Sequence, residues 1–501
     1  MSAVTRPLAP LLLALAFAAS ALLTGIAEAA TITVTTDLDA DAADGFCSLR
    51  EAILAANADA AHNECPAGDG PDRIVFSLAT PATITLTSEL PTITETLLIR
   101  GPGPLELNLD GDESFRILHF DTAGGGWFGV ERLTLIRGQA PGGVGGDGGG
   151  AYVDVGETAF FHRVYFAANR SANAAGGLGV GSAAGSLQTS ATVLECVFDG
   201  NVAEGSGGGG GLALLGTDGE VRVIRSTFFD NEAAHQNGTG GGILATPGGN
   251  VILLEASTVS GNLANGSGGG ILLRVASPGI TGALIVRDST ITGNVANADG
   301  DLTGEGGGIA LSVSVGLEAT LELDNSAVAY NEDFGVLIQP DLHCSGDLQL
   351  LASGFSFVGS NEGCSTLFPA GEPNAAGDYV GTAATPLDPV LDPLADYGGP
   401  TPTHRPSPPF VPPFGELGPT VSPLIDFGSC PDAIEDQRGY GDAAAGVRRV
   451  DRPEVTNPPG GDGCDIGAVE TGADPQVDRT LFADGFEAGH TLLWSTEVLG
   501  S

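Results

Sequence analysis

Apolar residues in this chain come in short, β-branched, alternating bursts, not at the three-and-four spacing of an amphipathic helix. The bursts return with fixed punctuation. Phe166-Ala-Ala-Asn169, Phe198-Asp-Gly-Asn201, Phe228-Phe-Asp-Asn231, Val259-Ser-Gly-Asn262, Ile291-Thr-Gly-Asn294 and Val328-Ala-Tyr-Asn331 share an apolar residue three places before an asparagine, and the asparagines lie 32, 30, 31, 32 and 37 residues apart. After each of the first five comes a polar loop, then a glycine cluster and a new apolar segment, as in Gly240-Gly-Gly-Ile-Leu244 and Gly306-Gly-Gly-Ile-Ala-Leu311. Short strands at a fixed period, with no helices between them, cannot build βαβ units. They can wind a parallel solenoid in which each coil stacks on the last, with glycine at the corners.

Counting from each asparagine gives columns. Position −3 is apolar throughout. Position −5 is Val164, Cys196, Ser226, Ser257, Ser289 and Ser326, on the same inward face because strand side chains alternate. Cys196 is thus expected to be a buried structural thiol standing in for serine. Positions −6 and −7 carry Arg163, Glu195, Arg225, Glu255, Arg287 and Asp324, whose sign alternates from coil to coil. At the roughly 4.8 Å spacing of adjacent strands such charges pair, which predicts an outward salt-bridge ladder and not an active-site groove. Asn169, Asn201, Asn231, Asn262, Asn294 and Asn331 are expected to form a structural amide ladder at a bend.

Composition narrows the class. The chain has 501 residues and a net charge of −43, and all 19 of its basic residues are arginine. This balance excludes nucleic acid as a partner, since phosphate neutralisation needs a basic face. Residues 1–29 read as a signal peptide: Arg6, an apolar run from Leu11 to Ala19, and a small-x-small cleavage site at Ala27-Glu28-Ala29 that makes Ala30 the first mature residue. No later segment is apolar for long enough to span a membrane. The protein is therefore expected to be secreted or held at the cell surface. Six cysteines admit 15 pairings. Proximity along the chain favours Cys47–Cys65, Cys344–Cys364 and Cys430–Cys464, each stabilising by about 2–4 kcal/mol in an oxidising compartment.

Near the new N-terminus, Phe46-Cys-Ser-Leu-Arg-Glu-Ala-Ile-Leu-Ala-Ala-Asn57 combines a Ser48/Glu51 capping box with an apolar face of Leu49, Ile53, Leu54 and Ala56. It predicts a short helix capping the first coil. The segment resembles the CSLREAI motif of secreted bacterial β-helix proteins. Farther on, Tyr397-Gly-Gly-Pro-Thr-Pro-Thr-His404, Ser422-Pro-Leu-Ile-Asp426, Asp436-Gln-Arg-Gly439 and Cys464-Asp-Ile-Gly-Ala-Val-Glu470 resemble the C-terminal region of choice-of-anchor Q proteins. The repeats over about 130–335 resemble those of the polymorphic outer-membrane protein family, which are surface adhesins. Leu481 to Gly489 resembles an ending shared by unrelated secreted bacterial proteins. Together these resemblances imply an all-β, right-handed single-stranded parallel β-helix of the pectin-lyase-like kind. Its expected parts are a cap at 30–70, repeats at 71–395, a choice-of-anchor Q-like region at 396–470 and a tail at 471–501.

Candidate chemistry is thin. A polyuronate lyase of this architecture needs a base to take a proton α to a carboxylate, and a hydrolase needs two carboxylates across the glycosidic bond. No Asp-Asp pair or Gly-His-Gly is present, and lysine is absent. No catalytic residue is assigned and no cofactor is expected. Calcium is the one metal to consider, because Asp37, Asp39, Asp41 and Asp44 offer hard oxygens at near-alternate spacing. Ala42 and Ser48 occupy the glycine and glutamate places of an EF-hand loop, and a solvated turn is the simpler account. The loops between asparagine and glycine cluster (Val202–Gly208, Glu232–Thr239, Leu263–Ser267, Val295–Glu305) vary from coil to coil, as a binding rim does. The expectation is a non-catalytic adhesion or binding module for an extracellular glycan or a host or cell-surface protein. The alternatives are a polysaccharide lyase or glycoside hydrolase, and a purely structural extracellular protein.

Overall fold

The computed structural model describes residues 30–475, apart from 124, 143–146, 183–187, 250, 302, 336–339, 408–421, 432, 434, 442–447, 453–454 and 473. The expected signal peptide, and the expected tail from 476 onward, lie outside the described residues. Among the described residues no helix is long and apolar enough to cross a membrane.

One coil shows the plan. Val221–Ile224 and Thr227–Phe229 meet at a corner, Glu232–Ala233 is a two-residue strand, and Ile243–Thr246 completes the turn of the solenoid. Each strand pairs in parallel with its counterpart one coil later. Among the described residues the stacked coils form parallel sheets of twenty, eight and seven strands. The chain is an all-β, right-handed parallel β-helix, the hand that twisted strands impose on parallel crossovers. Its strands start earlier than expected, because Thr31–Val34 already pairs with Asp72–Phe76. The seven-stranded sheet is built from the first residues of the segments expected to be variable loops, such as Val202–Ala203 and Leu263–Ala264.

Helix α1 (Leu49–Asn57) starts at Ser48 with the full capping box, and it packs on the first two strands. Leu49, Ile53 and Ala56 are buried as expected, whereas Leu54 is only half-buried. The disulfides are Cys47–Cys65, Cys344–Cys364 and Cys430–Cys464.

The columns become the core. Phe166, Phe198 and Phe228 stack with ring centroids 4.5 and 4.3 Å apart, and Val259, Ile291 and Val328 continue the row. From Asn201 on, each asparagine of the ladder accepts, through Oδ1, both the backbone N–H and the Nδ2–H of the asparagine one coil earlier, and Asn169 at its head accepts the Gly138 N–H. Its own Nδ2 also donates to a carbonyl of the preceding coil, as Asn231 does to Phe198 at 2.9 Å. A second ladder runs beside it at −5, where the backbone N–H of Cys196, Ser226, Ser257, Ser289 and Ser326 each bonds the hydroxyl of the next coil. Both ladders end on a carboxylate. Asn331 donates to Asp341, and the Ser356 N–H donates to Asp378.

Glycine is required where the coils turn onto this ladder. A Cβ at Gly241 would lie 2.4 Å from the carbonyl of Gly269, and one at Gly242 would press on the Asn262 amide at 3.2 Å. Residues that are not glycine hold the other corner. At −6, Arg163, Glu195, Arg225, Ala256, Asp288 and Asn325 take φ between 44° and 53°. That left-handed backbone costs an L-residue about 1–2 kcal/mol, which the packing of every coil must offset.

The described residues between Tyr397 and Thr471 lie along one outer face of the solenoid. Gln437 bridges two coils, accepting from the Thr258 hydroxyl at 2.6 Å and donating to that of Thr227 at 2.7 Å. His404 meets Ser260, the Ala468 N–H donates to Thr290, and wholly buried Arg448 pairs with Asp288.

Candidate functional site

The expected charge ladder is corrected by the register. Arg163, Glu195 and Arg225 occupy the −6 corner, while Glu255, Arg287 and Asp324 end the strands one position earlier. The column that truly stacks at −7 is Arg100, Glu131, His162, Leu194, Ile224, Glu255, Arg287 and Asp324. Two apolar residues interrupt it. Arg287 bonds Glu322, which lies two residues along the neighbouring strand, in place of Glu255 or Asp324. Burial, followed by the charges of Asp288 and Glu322, pushes Asp324 up to about 6.

The three corner charges do gather, and they gather at a cleft. Where the C-terminal segment ends its run along the solenoid, a 440 Å³ hollow opens between Arg163, Tyr165, Glu195 and Arg225 on one side and Glu435, Arg438 and Tyr440 on the other. Glu195 is its hub, receiving Arg163 at 2.6 Å and Arg225 at 2.5 Å, with His162 at 3.4 Å. Arg225 continues the chain of charges to Glu435 across the seam. Burial alone would raise the Glu195 pKa, but His162 and the two arginines outweigh it and hold the group at about 2. Burial likewise opposes the charge on His162, yet its bonds to Glu131 and Glu195 lift it above the ordinary histidine range. The Tyr165 hydroxyl donates to Asp199 at 2.9 Å, and the Arg438 guanidinium lies 4.6 Å from the centre of the Tyr440 ring while bonded to Asp436. The lining sets three guanidiniums, Arg163, Arg225 and Arg438, against two carboxylates, with Asp436 behind Arg438 as the third.

Three of the four calcium candidates are spread among other partners. Asp39 holds Arg50 and the Thr87 N–H, Asp41 holds His62 and Asn63, and Asp44 accepts the Phe46 N–H. Among the described residues the only group of three or more metal-ligating side chains is Asp288 with Cys430 and Cys464, whose sulfurs are joined in a disulfide. Cys196 is fully buried, its thiol pushed up to about 12 by that burial, and it keeps the serine place in its ladder.

On the sequence the alternating charges read as structural and the loops as the variable rim, and nothing there marks the cleft as a whole. Arg438 lies within the Asp436-Gln-Arg-Gly439 motif and Glu435 directly precedes it, which is the available signal. His162 and Tyr165 carried none, because only the register shows what they face.

No family model and no curated protein matches the chain. Among solved structures, the crystal structure of pectate lyase Pel9A is similar at 12% identity and a TM-score of 0.35, covering 89% of this chain and 97% of that one. That likeness says nothing about what the cleft does.

Proposed function

We propose that this is an exported β-helix protein of the CSLREAI and choice-of-anchor Q kind, whose seam cleft binds an extracellular ligand without turning it over. The carrying observation is that Glu195 is locked as an anion by two arginines and His162. A carboxylate held at about 2 cannot serve as the general acid of a hydrolase. The arginines that a lyase would need as bases, Arg163 and Arg225, are both ion-paired to Glu195 by the same contacts. Guanidinium edges and two tyrosine rings around a hollow of this size suit a sugar bearing hydroxyl and carboxylate groups. A glycan is accordingly the preferred ligand over a cell-surface protein.

The test pairs binding with turnover. The protein is screened on glycan and cell-surface-protein arrays, then assayed on the hits for reducing ends and unsaturated products. Binding that falls about 10–100-fold in Arg163→Gln, as losing one charge-assisted hydrogen bond predicts, supports the reading. Turnover abolished by Glu195→Gln would establish the enzyme alternative, and neither binding nor turnover would leave a purely structural role.

A further inference from the structure

Ala30 stands one residue before the first strand. Thr31 pairs with Arg73, and the Arg73 N–H donates to the Ala30 carbonyl at 2.9 Å, so the register sets Ala30 against Asp72. Asp72 is wholly buried. Its Oδ1 accepts the Asp69 N–H at 3.0 Å, but Oδ2, equally buried, has no hydrogen-bond partner. Gly68 lies against that oxygen and, lacking a side chain, leaves it room: a Cβ there would fall 2.1 Å away.

The surroundings make the arrangement costly as it stands. The titratable groups that act on Asp72 are Asp59 and Asp69, both acidic, and with burial as the larger cause they push it up to about 6. The Ala30 N–H is near enough to favour the charged form, yet it offers a single amide proton. A buried carboxylate with one free oxygen and two acidic neighbours calls for a cation.

We infer that Asp72 is the receptor for the α-ammonium that removal of the leader creates at Ala30, so that export processing completes the first coil. The inference rests on the export reading above. Hydrolysis of the Ala29–Ala30 amide by a leader peptidase consumes one water and leaves a carboxylate on Ala29. The Ala30 nitrogen becomes an ammonium with three donors in place of one. Freed of its acyl group, it can turn toward Oδ2 and form a charge-assisted pair beneath the capping helix. The sign of the pH dependence follows. An α-amino group whose pKa rises above its usual 7.7–8.0 on folding adds stability below that range, and loses it as pH climbs through the folded value.

The experiment uses the full-length gene product, exported from a secreting bacterial host, with its N-terminus read by mass spectrometry. The α-amine of the folded protein is acylated with a limiting reagent between pH 6 and 9. Thermal unfolding is followed in parallel for the wild type, for Asp72→Asn, and for a chain with Ser-Gly inserted between Ala29 and Ala30. The wild-type amine should react about tenfold more slowly at pH 7.5 than either variant, which is one unit of raised pKa. Its unfolding midpoint should also be the highest. The insertion leaves every buried residue in place, so it keeps the test open if Asp72→Asn fails to fold. Equal reactivity and equal midpoints in wild type and insertion would overturn the inference. A mature terminus other than Ala30 would instead overturn it through the cleavage reading, which mass spectrometry reports separately.

Discussion

Replacing Asn231 by alanine tests the ladder directly. Its Oδ1 accepts the Asn201 backbone N–H at 3.1 Å and Nδ2–H at 2.8 Å, while its Nδ2 donates to Phe198 O at 2.9 Å and to Asn262 Oδ1 at 2.8 Å. Truncation strips the Asn201 N–H of its partner in a fully buried site and takes one bond from each of three other groups. An orphaned buried group costs about 1–3 kcal/mol, so the loss should be about 3–5 kcal/mol, against less than about 1 kcal/mol for Asn265→Ala, whose one side-chain bond is near the surface. Asn231→Asp should do worse at neutral pH. It keeps Oδ1 but turns a second oxygen toward the Phe198 carbonyl and Asn262 Oδ1, so the new group folds only if protonated. Its folded pKa then lies above the unfolded 3.9, and stability is regained as pH falls through the folded value. Guanidinium unfolding followed by circular dichroism at pH 5 and pH 8 reads both effects. A cycle with Asn262→Ala should show coupling of about 0.5–3 kcal/mol between adjacent rungs. An Asn231→Ala cost no greater than that of Asn265→Ala, or a milder Asn231→Asp at pH 8, would refute the buried ladder as the source of this stability.

Three further outcomes are expected. His162, raised by Glu131 and Glu195, should contribute stability at pH 5–6 that is lost as pH climbs through its folded pKa; an NMR titration gives that pKa, and His162→Gln should flatten the pH dependence of unfolding. Asp341, pushed by burial to about 7, should make the protein gain up to about 4 kcal/mol as pH falls from 8 to 4, a slope that Asp341→Asn removes in the same unfolding experiment. Arg448→Met leaves Asp288 and Glu470 without their buried cation and should release the C-terminal segment at a cost of about 3–5 kcal/mol, seen as hydrogen exchange and proteolysis confined to residues 396–470.

What the sequence shows well is whatever repeats. Phe166, Phe198 and Phe228 had to share a face because strands alternate, and the asparagines had to bond one another because equivalent residues of stacked coils lie about 4.8 Å apart, within reach of an amide. The capping helix was legible for a local reason: Ser48 and Glu51 serve each other three residues apart. The columns of charge were harder. A single left-handed residue separates −6 from −7, so Arg163 and Glu255 look equivalent on paper but project from different parts of the coil. The cleft was illegible for a different reason. It depends on a contact between Arg225 and Glu435, 210 residues apart, and no periodicity encodes such a meeting.

The C-terminal segment also acts as a ruler. Its motif residues reach Thr227, Thr258, Thr290 and Asn325, one anchor in each of four successive coils. A coil inserted or deleted among these would throw every later anchor out of step by about 4.8 Å. Ahead of Thr227, a whole coil could be added without changing the spacing of these four anchors, both ladders simply growing by one rung. Lineages of this protein should therefore vary in coil number toward the N-terminal side of the cleft while keeping constant the span that the C-terminal segment measures.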